Sequence, residues 1–255
     1  ALTRTDMVII PVGSIEQHGK HLPLCTDICA ATEISKLIAQ KTDVLVAPAV
    51  AVGLSEHHMA FPGTLTLSPE TFEAVVFETA QSLIHHGFKK ILIYNGHGGN
   101  NTSVANILQK INQTTPAVAV QLNGMADPPW QLIEAGPLDG HAGVGETASM
   151  LYFTPGLVDM TKAENPVLTT SPKVEAVQKH LKDDPHLSRV ISALGGRPES
   201  TGKQTSTRES TSNGVTTKRD LKSATAEQGR QQAERFVEAA VKFIETWKKA
   251  SNGGQ

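Results

Sequence analysis

Glu16, His18 and Asp27, which lie within the fifteen positions after the apolar run Met7–Val12, have side chains able to bind a metal ion. Glu16 and His18 are two residues apart, so on an extended segment both side chains point the same way and can converge on one ion. Asp27 comes nine residues later, at the predicted start of a helix. Carboxylate and imidazole together suit zinc, manganese or iron better than calcium or magnesium. The structural alternative is that Glu16 and Asp27 cap helix ends while His18 is a surface loop residue.

A second cluster is the glycine-rich stretch YNGHGGNN, residues 94–101, at the end of another apolar run. Three glycines surround His97, which frees the backbone and clears space around the imidazole. Asn100 or Asn101 can cap the helix that follows, so that the first amides of the helix face the site and can hold an anion. A phosphate-binding loop is the alternative, although the stretch is not GxGxxG and has no Walker lysine.

A third cluster is DGHAGVGETASML, residues 139–151, which carries His141 and Glu146 in a glycine-rich turn before a predicted helix. Asp139 and Thr147 are secondary candidates in the same turn. A single histidine or glutamate at a helix start usually has a structural role. Three separate loops with such residues instead indicate one shared site.

Alternating strand and helix patterns predict how these loops are positioned. We predict strands at 7–12, 44–50, 90–94 and 117–122, and helices at 28–40, 68–87, 100–112, 146–153 and 224–249. This order predicts a parallel sheet with right-handed crossovers. Because ligands bind outside the carboxyl ends of parallel strands, all three loops can meet at one edge of the sheet.

The helix starts and the long polar segment lead to further expectations. Thr26 or Asp27 is the predicted cap of the first helix, and Ser68 followed by Pro69 that of the second. The pattern weakens over residues 162–222, and within them the Ser-, Thr- and Gly-rich stretch 192–215 has no periodicity and is predicted to be a long loop. No internal repeat or linker divides the chain, so we expect residues 1–255 to form a single domain.

The composition of the chain excludes several classes of partner. With 255 residues, 39% hydrophobic residues and a formal net charge of −2, it has no basic excess of the kind that binds nucleic acid or a membrane surface. No apolar run reaches the roughly 18 residues of a membrane span, and no signal-peptide pattern is seen, so we expect a cytoplasmic protein. Cys25 and Cys29 are interpreted as reduced thiols, with a metal-binding pair as the alternative.

The three loops together supply five candidate metal ligands: Glu16, His18, Asp27, His97 and Glu146. Five ligands rich in carboxylate exceed what one zinc ion needs, but they suit two divalent ions bridged by Asp27. A water held by two such ions has a lowered pKa and becomes a nucleophile near neutral pH. His141 is the candidate catalytic proton carrier, because unperturbed histidine titrates near neutrality.

The stretch GLSEHHMAFPGTLTL, residues 53–67, allows two interpretations. The segment Phe61-Pro62-Gly63-Thr64 predicts a rigid turn. His58 and Glu56 either line the same pocket as the other candidates or are polar groups that hold this turn in place.

These motifs, in this order, resemble the creatininase (creatinine amidohydrolase) family. The segments that carry the resemblance are PVGSIEQHGKHLPLCTD, HHMAFPGTLTL, NGHGGNN, HAGVGETASML, and SNGV followed by SATAEQG, which span most of the chain. The resemblance implies an α/β fold, a three-layer α/β/α sandwich with a central, mainly parallel sheet. It also implies a two-metal hydrolase, with zinc as the first choice and manganese or iron as alternatives, and a homo-oligomer, for which a hexamer is one form.

By this resemblance, four residues match metal ligands of the family: Glu16, His18, Asp27 and His97. Asp27 takes the bridging position, Glu146 lies in the segment from which other members take the last carboxylate, and His141 matches the catalytic histidine. Creatinine-hydrolysing members carry a glutamate ligand where this chain has Gly99. They also carry a tryptophan just before the catalytic histidine, where this chain has Leu138-Asp139-Gly140. Both departures argue against creatinine as the substrate.

We therefore expect a metal-dependent hydrolase that acts on a small-molecule substrate, at the C–N bond of a cyclic amide or formamide. One alternative is hydrolysis of a C–C or lactone bond in an oxidised cyclic sugar or inosose. Another is a non-catalytic metal-binding protein whose sites are coordinatively closed. The ligand set does not separate the two hydrolases, whereas the pocket lining near His58 and at 128–130 would.

Overall fold

A parallel sheet forms the centre of the computed structural model, which describes residues 2–123, 139–194 and 206–252. Its four strands are β1 (Met7–Val12), β2 (Leu45–Val46), β3 (Lys90–Asn95) and β4 (Val118–Gln121). Their spatial order is β2-β1-β3-β4, so β1 and β3 lie side by side in the middle. The register pairs Val12 with Asn95, and the loops that follow these two strands therefore leave the sheet next to each other.

Helices cover both faces of this sheet. In the described residues they are α1 (Thr26–Lys41), α2 (Pro69–His85), α3 (Asn101–Thr114), α4 (Val144–Phe153), α5 (Pro172–Gln178), α6 (Ser188–Leu194), α7 (Thr207–Ser210) and α8 (Ala226–Asn252). Helices α2 and α3 pack on one face, α1 and α8 pack on the other, and α4 packs against α1 and α8. None of these helices has the length and apolar character needed to cross a membrane.

Strand β1 shows why the sheet is buried on both sides. Val8 and Ile10 join the apolar cluster beneath α2 and α3, whereas Met7 and Ile9 join the cluster beneath α1 and α8. Successive side chains of a strand point to opposite faces, so a continuous apolar run suits a strand covered by helices on both sides. Each fully buried side chain of this size contributes about 1.5–3 kcal/mol. The predicted three-layer α/β/α sandwich is confirmed.

The second strand is shorter than predicted. We expected residues 44–50, but only Leu45–Val46 form regular strand. Pro48 interrupts the run because proline cannot donate a ladder hydrogen bond. Contact with β1 continues on either side of it, since Ala47 N–H donates to Ile9 at 2.8 Å and Val50 N–H donates to Pro11 at 2.9 Å.

One predicted helix cap is confirmed and another is wrong. The Ser68 hydroxyl accepts a hydrogen bond from Thr71 N–H at the start of α2, as predicted. Helix α1 instead begins at Thr26, and Cys25 precedes it without a side-chain cap. The Thr26 hydroxyl donates to the Pro23 carbonyl at 2.7 Å. Asp27 lies inside the first turn, where its carboxylate faces the histidines described below.

The loop predicted at 192–215 is only partly correct, because the end of α6 and the whole of α7 lie within it, and α5 lies earlier in the weakly patterned stretch 162–222. Ser171 caps helix α5, because its hydroxyl accepts a hydrogen bond from Val174 N–H, and Pro172 is the first residue of the helix. These helices have four to seven residues, which is too short for a helical period to show in the sequence.

Candidate metal centre

The loop after β1 holds Glu16 and His18 in the protein interior, both fully buried. The Nδ1 atom of His18 lies 3.1 Å from the Glu16 main-chain carbonyl, to which it donates. The other ring nitrogen, Nε2, therefore points away from this carbonyl and lies 3.1 Å from Asp27 Oδ1. The first-turn position of Asp27 in α1 thus brings a carboxylate against the imidazole.

The loop after β3 brings His97 to the opposite side of Asp27. Its Nε2 atom donates to the Leu54 carbonyl at 3.0 Å. Its Nδ1 atom lies 3.0 Å from Asp27 Oδ2 and 3.3 Å from Glu16 Oε1. Main-chain carbonyls therefore orient both His18 and His97, as is typical of metal-binding histidines.

Asn100 has a different role from the helix cap predicted for it. Its side chain makes no cap hydrogen bond to α3. Instead, its amide nitrogen donates to the Gly13 carbonyl at 3.0 Å, and its amide oxygen accepts from Leu54 N–H at 3.0 Å. Asn100, in the loop after β3, thereby connects this loop to the loop after β1 and to Leu54, whose carbonyl accepts from His97.

The third loop supplies Glu146 and His141. Glu146 Oε2 lies 3.5 Å from His18 Nε2 and accepts from Ala142 N–H at 2.6 Å. Ala142 has φ = 53°, a left-handed conformation that is uncommon for a residue with a side chain. The Nδ1 atom of His141 lies 3.4 Å from Glu16 Oε1. All six predicted site residues therefore lie in one cluster.

The secondary candidates in this loop hold the loop itself. Asp139 accepts from Val144 N–H at 2.8 Å and from Gly145 N–H at 2.9 Å, which satisfies free amides at the start of α4. The Thr147 hydroxyl donates to the Gly143 carbonyl at 2.7 Å and lies 3.0 Å from His21 Nε2. Neither residue reaches the carboxylates at the centre of the cluster.

Asp27 contacts an imidazole through each of its carboxylate oxygens, so two sets of candidate metal-binding atoms can be drawn around it. Glu16 with His58 and His141 forms a further candidate group. The His97 set consists of His97 Nδ1, Asp27 Oδ2 and Glu16 Oε1, and the His18 set consists of His18 Nε2, Asp27 Oδ1 and Glu146 Oε2. Ligands bound at about 2.1 Å to a tetrahedral ion lie about 3.4 Å apart. The distances of 3.0–3.5 Å given above for these pairs match that spacing.

Two carboxylate oxygens in the cluster lack a hydrogen bond. Glu16 Oε1 and Asp27 Oδ2 are buried and receive no hydrogen bond of good geometry from the described residues. His97 pairs with these oxygens by charge, but an ionised oxygen buried without a hydrogen bond is still costly, and a divalent cation bound between them would lower that cost. Because both oxygens belong to the His97 set, the residues present fit a divalent metal ion there.

The charges in the cluster shift the pKa values of the groups that would bind a cation. Burial would lower the pKa of His18, but Asp27 and Glu146 outweigh it and raise the pKa to about 10. Burial also opposes the shift of His97, and Asp27 and Glu16 together raise its pKa to about 11. Burial would raise the pKa of Asp27, yet His18 and His97 hold it below its usual value. Asp27 therefore stays ionised, and both rings carry protons that a cation would replace.

Three contributors to the cluster were not among the predicted ligands. The Ser55 hydroxyl donates to Glu16 Oε2 at 2.5 Å, which leaves Oε1 for an ion. His58 Nε2 lies 3.5 Å from Glu16 Oε1. The side chain of Gln17 lies between His58 and His141. Of these three, only His58 could be recognised as a site residue from the sequence, because histidine is a common metal-site residue whereas serine and glutamine are common in any loop.

Other predicted candidates lie apart from the cluster. Glu56 is exposed, so of the two residues considered for the 53–67 stretch only His58 lines the site. Cys25 and Cys29 are free thiols whose sulfurs lie 3.3 Å from each other. Neither belongs to a metal-binding group found among the described residues. The segment 128–130, predicted to line the pocket, lies outside the described residues.

Several proteins of known identity are similar to this chain. It is 35% identical over 155 residues to the mycofactocin precursor peptide peptidase of Mycolicibacterium smegmatis, covering 58% of this chain and 58% of that protein. It is 27% identical over 186 residues to the creatinine amidohydrolase of Pseudomonas putida, covering 65% and 72%. It is 34% identical over 125 residues to the 3-dehydro-scyllo-inosose hydrolase of Thermotoga maritima, covering 48% and 40%. The chain thus spans under two thirds of the length of the mycofactocin peptidase.

Solved creatininases share the fold of this chain. A mutant creatininase of the Zn-Zn type superposes with a TM-score of 0.67 at 22% identity, covering 94% of this chain and 90% of that one. A creatininase with Mn superposes with a TM-score of 0.64 at 23% identity, with the same coverage. The creatinine amidohydrolase family model matches residues 1–244. The chain therefore belongs to the creatininase (creatinine amidohydrolase) family.

Proposed function

We propose that the chain is a metal-dependent hydrolase that breaks a C–N bond of a small polar substrate, a cyclic amide or a formamide. The observation that carries the proposal is that Asp27 places one carboxylate oxygen in each of two sets of metal-binding atoms. Divalent ions, when bound there, supply a nucleophilic water and polarise the scissile carbonyl. Zinc is the first choice because it commonly binds imidazole with carboxylate, and manganese and iron are the alternatives.

The exposure of the side chains indicates where the substrate enters. The side chains of Glu16 and His18 are fully buried, whereas that of His141 is 18% exposed and that of Glu146 is 39% exposed. A substrate would therefore approach from the side of His141 and Glu146. His141 Nδ1 is then placed to take a proton from the attacking water and return it to the leaving nitrogen.

The relatives support a C–N bond as the target. A peptidase and an amidohydrolase, by name, both hydrolyse amide C–N bonds, and both are similar to this chain. Gly99 stands where creatinine-hydrolysing members carry a glutamate, and Leu138-Asp139-Gly140 where they carry a tryptophan, which argues for an amide other than creatinine. Similarity to an inosose hydrolase favours a second candidate, hydrolysis of an oxidised cyclic sugar.

One experiment tests the proposal against its alternatives. The purified chain would be loaded with zinc, manganese or ferrous iron, and its metal content would be measured per chain. Each form would be assayed with cyclic amides, N-formyl amino acids, short peptides and an inosose. We expect two ions per chain and release of an amine or carboxylate product from an amide. Turnover of the inosose alone would establish the second candidate, and bound metal without any turnover would establish a non-catalytic protein.

The small-molecule substrate and the homo-oligomer remain predictions. Light scattering on a size-exclusion column would give the number of chains in the assembly.

A further inference from the structure

Gln17 occupies the space between two imidazoles that face the candidate metal centre. Its side-chain nitrogen lies 3.0 Å from His58 Nδ1 and 3.0 Å from His141 Nε2. Gln17 and His58 are buried, and the rings of His58 and His141 stack with centroids 4.3 Å apart. The position of each hydrogen atom among these three side chains follows from their remaining contacts.

Two main-chain groups orient the Gln17 amide. Its oxygen lies 3.1 Å from Gly19 N–H, which can only donate, and its nitrogen lies 3.0 Å from the Gly214 carbonyl, which can only accept. Gly214 has φ = 87°, and a Cβ atom there would lie 1.8 Å from Gln17 Oε1. Glycine is thus required for this close contact, and one of the two amide hydrogens points to Gly214.

His141 must carry its proton on Nε2. This nitrogen lies 2.6 Å from the main-chain carbonyl of Gln17, so it has to donate. It therefore cannot also accept from the Gln17 side chain, despite the 3.0 Å separation. In the neutral ring the proton on Nε2 leaves the other nitrogen, Nδ1, bare, and this nitrogen lies 3.4 Å from Glu16 Oε1.

The second amide hydrogen of Gln17 is left for His58. Because Nδ1 of His58 accepts it, the proton of the neutral ring resides on Nε2. A ring nitrogen that accepts a hydrogen bond carries no proton, so the His58 ring has only the one on Nε2 and is neutral. Its Nε2–H lies 3.5 Å from Glu16 Oε1, at nearly the same distance as the bare nitrogen of His141.

We propose that Gln17 is a positioning residue that makes two neighbouring imidazoles present opposite groups to the site, a bare Nδ1 on His141 and an N–H on His58. The proposal rests on the proposed function and deepens it. His141 is the proton acceptor for the attacking water, and His58 is a separate hydrogen-bond donor beside it. Without the Gln17 amide, Nδ1 of His58 is free to take the proton, and the donor is lost.

The test reads the proton positions directly, so it does not depend on knowing the substrate. In zinc-loaded protein labelled with ¹⁵N-histidine, long-range ¹H–¹⁵N correlation spectra distinguish protonated from bare ring nitrogens. Signals are assigned by their loss in His58→Phe and His141→Phe. In the unsubstituted protein we expect Nε2 protonated and Nδ1 bare on both rings. A protonated Nδ1 on His58 overturns the proposal.

A Gln17→Glu substitution should change the protonation of His58 and not that of His141. A carboxylate cannot donate, so we expect Nδ1 of His58 to gain a proton while His141 is unchanged, because its partner is a main-chain carbonyl. The matched control is Gln113→Glu, an exposed glutamine of α3. An unchanged His58 in Gln17→Glu overturns the proposal. Gln17→Met replaces it if the charged variant does not fold. The proton of His58 should then be shared between Nδ1 and Nε2, so the Nε2 signal should move towards that of a bare nitrogen, and an unchanged Nε2 signal overturns the proposal.

Activity supplies an independent arm once a substrate is known. Replacing a residue that hydrogen-bonds to a group of a metal site typically lowers activity by about 10- to 100-fold. We therefore expect kcat of Gln17→Met to fall by that factor at unchanged metal content. If Gln17 acts through His58, Gln17→Met should cost little more in a His58→Phe background. Multiplicative losses in the double variant would indicate a general structural role and overturn the proposal. Failure of the proposed function, in contrast, would leave the spectra as expected but show no turnover at all.

Discussion

The main-chain carbonyl of Glu16 accepts a hydrogen bond from Nδ1 of His18, two residues along the chain, at 3.1 Å. This short-range contact selects which ring nitrogen faces the bridging carboxylate. It also links the two sets of metal-binding atoms, since Glu16, which supplies an oxygen to the His97 set, orients the imidazole of the His18 set.

Removal of the bridging carboxylate should affect both sets of metal-binding atoms. We expect Asp27→Asn to lose bound metal and to lower turnover by more than about 100-fold. This loss is larger than the one usually seen when a residue that only hydrogen-bonds to a metal ligand is replaced. Metal content and kcat measured on the purified variant check this. The control is Glu33→Gln on the same helix, where the carboxylate pairs with Lys36 on the surface. Full metal content and full turnover in Asp27→Asn would rule out the proposed site.

Two buried serines should respond differently to truncation. Ser55 donates to Glu16 Oε2, so Ser55→Ala leaves a buried carboxylate oxygen unpaired and should cost about 1–3 kcal/mol of folding free energy. Metal affinity should also fall, by about 10- to 100-fold. Ser35 is equally buried, but its hydroxyl has no hydrogen-bond partner in the described residues. Ser35→Ala should therefore be neutral or stabilising in denaturant unfolding, and equal costs at the two positions would contradict this account.

Metal binding should release protons near neutral pH. In the metal-free protein, the pKa is raised to about 10 at His18 and about 11 at His97, so both rings are protonated at pH 7. An ion must displace one proton from each ring, and apparent affinity should therefore rise with pH, by about tenfold per unit for each ion. Calorimetry in two buffers of different ionisation enthalpy measures the protons released. Binding without net proton release would contradict the raised pKa values.

A glycine should be tolerated at position 142 far better than in the following helix. Ala142 has φ = 53°, where a side chain costs about 1–2 kcal/mol and glycine costs nothing. This gain offsets the entropic penalty of glycine, so Ala142→Gly should change stability by less than about 1 kcal/mol. The matched substitution is Ala148→Gly, in the buried interior of α4, which should cost about 1 kcal/mol or more. A larger loss at 142 than at 148 in thermal unfolding would refute the strain argument.

The position of the candidate site could be predicted because it depends on the order of strands and on residue types. Consecutive apolar runs separated by helices require a parallel sheet, and its carboxyl edge brings together the loops that carry Glu16 and His97. Histidine, aspartate and glutamate are recognisable as ligands wherever they occur, so the six residues found in the cluster could be named beforehand.

The surrounding hydrogen bonds could not be predicted, because they depend on three-dimensional contacts between distant segments. Ser55 and Glu16 are 39 residues apart, and Gln17 meets Gly214 across 197 residues. Asn100 was assigned to a helix cap on local grounds, but contacts with two other loops use its side chain instead. Likewise, Pro48 shortens β2 although its neighbours are typical of a strand.

The two sets of metal-binding atoms that share Asp27 are also completed at different times during synthesis of the chain. Every residue of the His97 set lies within the first 97 positions, whereas Glu146 of the His18 set comes 49 residues later. During synthesis on the ribosome, the chain therefore emerges with the ligands for one ion complete while the second ion still lacks a ligand.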